Sequence, residues 1–362
     1  MTLTLNQSNG IIEEVNTSII NKLYNVCIYN DNHNQNDYLL NGRLHSLLGY
    51  KNQADYLTNK FKNRLYITID SYYVWFEDTE VRNVCINNFS SDGIGVTLEN
   101  VRSVKYTSQQ ASSPFRGNAL IEHFDEFNVF ENITMLPYYY FYGCTNLKTI
   151  NLENITYIGT AGGMQDSYTF QYCSSLQKIY APNLTYVGVY TFGDCTSLKY
   201  IVLPSLTTIG RGDARWIEHC NSLEYILIGK IQETGAGDRW HNGLFNGLSS
   251  LKVVDLGDDL QTITGVPFYN CENIKAIIIR NTAYIPTTSE YPDSISGFNA
   301  RFGNANVKIF VSDNLLNTYK SSTYWVEARN NIYPISTFKL SDYIDFEIPE
   351  VEDLYNSLYV EP

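Results

Sequence analysis

No run of about 20 apolar residues occurs anywhere in this chain, so nothing in it reads as a membrane-spanning helix and no membrane insertion is expected. There is no Cys-x-x-Cys pair, no His-x-x-x-His pair, no Gly-x-Ser-x-Gly elbow and no Gly-x-x-x-x-Gly-Lys loop, which removes the sequence signatures of zinc sites, serine hydrolases and phosphate cradles. The histidines His33, His45, His123, His219 and His241 are scattered. The chain therefore does not read as an enzyme, and neither a metal nor another cofactor is expected. Basic residues are the minority: 25 Lys and Arg against 38 Asp and Glu give a net charge of -13. Such a field repels nucleic acid and anionic membranes, and no basic stripe interrupts it. The opening Met1-Thr-Leu-Thr-Leu-Asn-Gln-Ser lacks a basic start and an apolar run, so export by an ordinary signal is not expected.

What the chain has is self-similarity. Phe141-Tyr-Gly-Cys144-Thr-Asn-Leu147-Lys-Thr-Ile150-Asn-Leu152 recurs as Phe170-Gln-Tyr-Cys173-Ser-Ser-Leu176-Gln-Lys-Ile179 and as Phe192-Gly-Asp-Cys195-Thr-Ser-Leu198-Lys-Tyr-Ile201-Val-Leu203. Weaker copies run from Ile217 to Ile228, Phe245 to Leu256 and Phe268 to Ile279. A fixed period of this kind predicts a solenoid of the α/β class, with short parallel strands from Leu-x-x-Ile-x-Leu and tight helical or irregular turns carrying Phe and Cys. The cysteines Cys144, Cys173, Cys195, Cys220 and Cys271 share one repeat position, where Leu248 also stands. A slot open to Cys or Leu is a buried apolar one, so these thiols read as reduced and structural. Cys27 and Cys85 are too isolated to form a metal site.

Four insertions, Thr160 to Thr169, Arg211 to Trp216, Thr234 to Gly243 and Asn281 to Asn306, are expected as loops on one rim. The organisation reads as a mixed or β-rich attachment or oligomerisation domain over 1–80, with strand-like runs at Leu65 to Ile69 and Tyr72 to Phe76. A pre-repeat segment and cap follows over 81–135, then repeats over 136–306 and a C-terminal cap over 307–336. In that cap, Val307 to Val311 is predicted as a last strand and Leu315 to Lys320 as a short helix. An acidic tail over 337–362 interleaves carboxylates with Tyr343, Phe346, Leu354, Tyr355, Leu358 and Tyr359. It reads as solvated, or as a docking segment that orders on a partner.

The repeat Phe-x-x-Cys-x-x-Leu-x-x-Ile-x-Leu-Pro-x-Leu-x-x-Ile-Gly, best matched by Phe192 to Gly210, resembles the BspA-type leucine-rich repeats of gut bacteria and their phages. Phe76 to Phe127 is similar to the segment that precedes such repeats, and Phe310 to Ser336 to the family's cap. The resemblance implies binding and adhesion rather than catalysis. Where relatives carry a calcium loop, Ser90-Ser91-Asp92-Gly93-Ile94-Gly95 and Val101 lack the ligands, so calcium is not expected there, while Gly95 can still make the sharp turn. With no export signal, the family resemblance points to a phage virion protein, a fibre or tail appendage made in the host cytoplasm. Its expected partners are other virion proteins and a host-surface protein or glycan, not nucleic acid. A homo-oligomer is expected, a trimer by analogy with symmetric fibres. The alternative is a bacterial cell-surface adhesin.

Two groups of residues are candidates for contact. On the concave face of the middle strands, Tyr180, Tyr200, Val202, Tyr225 and Leu227 would form an apolar patch for a partner, or a ladder that only stabilises the strands, or a face covered by the N-terminal domain. On the rim, Arg215-Trp216 and Arg239-Trp240 could stack on sugar rings or anchor a protein, or each Trp could plug a gap made by its insertion. Arg211-Gly-Asp213 spells an integrin-like tripeptide, a match short enough to arise by chance.

Overall fold

The structure, a computed structural model, describes residues 72–105, 113–159, 167–210, 214–234, 243–289 and 298–345, together with the strands Thr4–Asn6, Ile11–Glu14, Val26–Ile28 and Arg64–Ile67. Residues 1–105 and 121–133 form one unit, and residues 106–120 and 134–362 another.

In the second unit each Leu-x-x-Ile-x-Leu segment becomes a strand, and successive copies pair in parallel. The result is a seven-stranded sheet of β1 (Lys178–Tyr180), β2 (Tyr200–Leu203), β3 (Tyr225–Ile228), β4 (Val253–Asp255), β5 (Ala276–Ile279), β6 (Lys308–Val311) and β7 (Ile332–Pro334), ordered as in the chain. Tyr200 lies opposite Tyr225, Tyr225 opposite Val253, and Val253 opposite Ala276. Since side chains alternate along a strand, Ile201, Ile226, Val254, Ile277 and Ile309 share the inward face and are fully buried. Each such side chain contributes about 1.5–3 kcal/mol. β6 and the following helix, Leu316–Ser321, stand where the sequence predicts them. The end of the core is sealed by Trp325, whose indole Nε1 donates to the Pro286 carbonyl at 2.8 Å, with Tyr319 and Phe302 packed on its ring. β7 is an addition to the sequence reading.

One strand per repeat is what the pattern predicts, but two are present. Met135–Leu136, Tyr157–Ile158, Tyr186–Val187 and Thr208–Ile209 form a second, four-stranded parallel sheet from the Leu-x-x-Ile-Gly half of the repeat. A hydroxyl ladder supports its start: Thr156, Thr185 and Thr207 each donate Oγ1 to the carbonyl of the preceding copy's residue, Thr134, Thr156 and Thr185, at 2.9 to 3.1 Å.

The described turns between the sheets are tight, one of them a single 3-10 turn at Ala214–Ile217, and they share one backbone requirement. The residue before the cysteine position is left-handed in every copy: Gly143, Tyr172, Asp194, His219, Gly247 and Asn270 all have φ between 58° and 80°. Non-glycine residues adopt this conformation at a cost of about 1–2 kcal/mol, which the packing behind the turn offsets. There, phenylalanine rings stack from copy to copy, Phe115 on Phe141 at 5.4 Å, Phe141 on Phe170 at 5.2 Å and Phe170 on Phe192 at 5.7 Å. Beside them each cysteine thiol donates to the carbonyl of the preceding copy. Cys144 reaches Phe115, Cys173 reaches Phe141, Cys195 reaches Phe170, Cys220 reaches Phe192 and Cys271 reaches Phe245, all within 2.9 to 3.2 Å. The slot is thus apolar in its walls and hydrogen-bonded at its sulfur.

In the first unit Thr4–Asn6 pairs antiparallel with Ile11–Glu14, and Val26–Ile28, Arg64–Ile67 and Tyr72–Trp75 form a three-stranded mixed sheet. The helix Thr79–Phe89 starts at Asp78, whose Oδ1 accepts from the amides of Glu80 and Val81 while Oδ2 accepts from those of Glu122 and His123. A cluster of Phe76, Phe124, Phe127 and Phe130 fills the core of this part, with ring centroids 5.1 to 6.4 Å apart.

Candidate functional site

The loop Ser90 to Gly95 is held by hydrogen bonds of its own side chains. Asp92 Oδ1 accepts from the Ser90 hydroxyl and the amides of Ile94 and Gly95, and Oδ2 accepts from the Tyr73 hydroxyl at 2.7 Å. These donors hold its carboxyl well below the usual range. The sharp turn is made by Gly93, with φ 74°, and not by Gly95 as the sequence reading has it. Gly95 is required for space, because a Cβ there would enter the Tyr73 ring. Among the described residues no group of His, Cys, Asp and Glu could hold a metal, and no helix is long and apolar enough to cross a membrane.

The predicted sheet-face residues are brought together, but they are not open. Tyr180, Val202, Leu227, Asp255, Ile278 and Phe310 are aligned in one row, and Tyr200, Tyr225, Val253 and Ala276 in the next. Tyr180 is half-buried, while Tyr200, Val202, Tyr225 and Leu227 are at most 2% exposed. The exposed apolar patch is therefore corrected to a buried layer. Phe338, Leu340 and Ile344 belong to the same cluster, with Ile335 and Tyr343 packed against it, so the first part of the expected acidic tail is packed rather than solvated. Within this layer Asp255, wholly buried, is held by Arg280 Nε at 2.8 Å and by the Gly257 amide at 3.0 Å.

Trp216 is corrected in the same way. It is fully buried, its ring meets Phe192 edge-on at 6.3 Å, and Nε1 donates to the Leu244 carbonyl at 3.2 Å. It fills the place where the phenylalanine column is interrupted by Ile217. Arg239 and Trp240, with His241, and the Arg211-Gly-Asp213 tripeptide lie outside the described residues.

Arg215 has a different position. It occupies the repeat position two before the Phe slot, and its carbonyl accepts from the Tyr190 amide at 3.1 Å. The earlier copies place tyrosines there: Tyr139, Tyr168 and Tyr190, all left-handed, with rings stacked at 5.0 and 5.1 Å and within 8° of parallel. Arg116 lies over the first ring of the column, 4.4 Å from its centroid, and 5.4 Å from that of Tyr142. Tyr138 and Tyr142 meet Tyr139 edge-on, and Tyr172, 44% exposed, meets Tyr142. Polar groups continue this rim: Asp194 accepts from Gln171 Nε2 and lies 2.9 Å from His219 Nδ1. The surface is a comb of half-exposed phenols flanked by two arginines. Residue-by-residue reading misses it; the signal is a tyrosine two places before Phe141, Phe170 and Phe192.

Stacked short strands, with Phe and Cys columns that advance once per copy, define a leucine-rich repeat solenoid. The chain belongs to the BspA-type leucine-rich repeat family, whose repeat-region model matches residues 96–162 and 164–290, more than half of the chain, with 6 copies. Among solved structures it is similar to a leucine-rich repeat protein of Bacteroides ovatus, at 17% identity over 55% of this chain and 64% of that one, TM-score 0.24. It is similar also to an internalin of Listeria monocytogenes, at 13% identity over 67% and 80% of the two chains, TM-score 0.28. A leucine-rich cell surface protein of Faecalibacterium prausnitzii matches at 14% identity over 48% and 81%, TM-score 0.17. The chain thus spans less than two thirds of the Bacteroides protein's length. A search of curated proteins finds no significant match. The matching family is a repeat region, and no catalytic family is indicated.

Proposed function

We propose that this is a non-catalytic binding protein that adheres to a protein or glycan on another surface, and that the tyrosine rim is its contact. The observation that carries this reading is the column Arg116, Tyr139, Tyr168, Tyr190, which keeps aromatic and cationic groups half in solvent on a rigid scaffold. Tyrosine and arginine are enriched among residues that dominate contact energies: tyrosine offers large area, a polar tip and little rotamer entropy to lose, and arginine a planar charged fork that stacks on rings. A position at a bacterial cell surface fits the similarity to the leucine-rich cell surface protein of Faecalibacterium prausnitzii. Location on a phage virion, as a fibre or appendage and as a trimer, is the alternative, and quantitative mass spectrometry of envelope and purified-virion fractions separates the two.

The binding test is a panel of immobilised host-surface glycans and proteins. A ligand found there should bind the Tyr168→Ala, Tyr190→Ala double variant at least tenfold more weakly, which corresponds to about 1.4 kcal/mol or more. Equal binding by the variant would place the contact elsewhere.

A further inference from the structure

The second sheet is interrupted at one step. Through its first copies the backbone bonds are regular: the Thr134 carbonyl accepts from the Thr156 amide at 2.8 Å, that of Thr156 from Thr185 at 2.9 Å, and that of Thr185 from Thr207 at 3.0 Å. The pattern resumes where the Gln232 carbonyl accepts from the Gln261 amide at 2.7 Å and that of Gln261 from Thr287 at 2.8 Å, leading into the parallel pair Thr262–Thr264 and Thr287–Ser289. The step from Thr207 to Gln232 lies between. Among the described residues no amide donates to the Thr207 carbonyl, and the Gln232 and Glu233 amides, which hold the next copy's places, donate to none. A cavity of about 310 Å³ opens at this step. Its buried lining is apolar, Ile209, Ile231 and Leu244, and its exposed lining includes Thr208, Glu233 and Gln261.

We propose that this gap is a binding site for a single neutral sugar ring, sharing no residue with the tyrosine rim. Size and closure argue for one ring rather than a chain. Ligand sites span about 300–1,000 Å³, and this cavity stands at the small end. The amides of Gly229 and Lys230 donate to the carbonyls of Leu203 and Leu206, both at 3.1 Å, so the copies are joined just before the gap and an extended peptide cannot run through it as an inserted strand. The chemistry argues for a polyol. Backbone groups seek partners, and here one carbonyl on the Thr207 side and two amides on the Gln232 side have none from the scaffold. Sugar hydroxyls donate and accept, so one ring can serve both sides, with the Thr208 hydroxyl, the Gln261 amide and the Glu233 carboxylate as further partners. Gln232 Nε2 donates to Asp259 at 3.3 Å, which leaves its carbonyl oxygen as an acceptor. The apolar residues suit the C–H edge of a pyranose. No Lys or Arg is among the described lining residues, and the Glu233 carboxylate opposes an anion, so the ring is an uncharged one.

The test is saturation-transfer NMR on the full chain with glucose, galactose, mannose, fucose and N-acetylglucosamine, each as the reducing sugar and as its methyl glycoside, and with a blocked valine–threonine tetrapeptide. At least one sugar should receive saturation and the peptide none, and titration with that sugar should shift the methyl resonances of Ile209, Ile231 and Leu244. A sugar bound as its methyl glycoside is the end of a glycan chain, and one bound only in reducing form is a free monosaccharide; either supports the site. The exposed double variant Glu233→Ala, Gln261→Ala should bind the same sugar at least tenfold more weakly with unchanged circular dichroism. Peptide binding in place of sugar would make the gap a site for strand insertion, and transfer to no probe would make it a gap that holds only water. Sugar binding that leaves the three methyls unmoved, or that survives in the double variant, would put the contact elsewhere. Each of these results overturns the proposal, and if the variant fails to fold, the methyl shifts of the wild type decide.

Discussion

Glu126 is the clearest titrating residue in the first unit. It is 1% exposed, it accepts from the Glu77 amide at 3.0 Å, and desolvation pushes its carboxyl up to about 8. Unfolded, the same group ionises near its ordinary value of 4.5. Between these values the folded chain holds a proton that the unfolded chain has released, so stability is highest below the lower value and falls as pH rises toward the upper one. At about 1.4 kcal/mol per pH unit, the loss is on the order of a few kcal/mol. Chemical denaturation at pH 5 and pH 8 should show it, and Glu126→Gln should flatten the profile and stabilise the protein at pH 8; a wild-type profile already flat would contradict the assignment. The repeat thiols make a second prediction. Burial pushes Cys144 and Cys271 up to about 12, so the buried cysteines should resist iodoacetamide in the native protein and react after unfolding. Cys195→Val keeps the volume but removes the donor to the Phe170 carbonyl, and should cost about 1 kcal/mol in denaturant titration. That the slot is apolar was legible from Leu248. That the sulfur donates was not, since a one-dimensional pattern does not show which carbonyl lies next to it.

At the scale of elements, long periodic segments were legible and short ones were not. β1 to β6 follow from Ile and Leu spacing in each copy, whereas the strands Met135–Leu136 and Thr208–Ile209 are too short to display alternation. β7 ends on Pro334, which argues against a strand until an edge position is known. The rim was legible only after the copies were aligned on Phe141, Phe170 and Phe192. The burial of Tyr200 and Tyr225 was not, because Phe338 and Ile344, which join the same cluster, are remote in sequence. The ion pair that joins two strands gives a prediction at this scale. Arg280→Ala would strand Asp255, which is wholly buried, and should cost about 3–5 kcal/mol. Thermal unfolding reads this directly, and a change below 1 kcal/mol would show that Asp255 does not depend on Arg280.

For the molecule as a whole, repetition explains both the rigidity and the division of its surfaces. In the copies at Phe141, Phe170 and Phe192 one side of the turn builds the buried columns of Phe and Cys, and the other carries the tyrosine rim into solvent. Tyr200, Val202, Tyr225 and Leu227 are buried while the rim tyrosines reach solvent, which is why the rim is the proposed contact. Native-state modification of tyrosines with tetranitromethane, mapped by mass spectrometry, tests this assignment most directly. Tyr142, Tyr168, Tyr172 and Tyr190 should be modified, and a bound partner should protect them, while Tyr200 and Tyr225 remain unmodified. Modification of Tyr200 and Tyr225 ahead of the rim tyrosines would contradict the account.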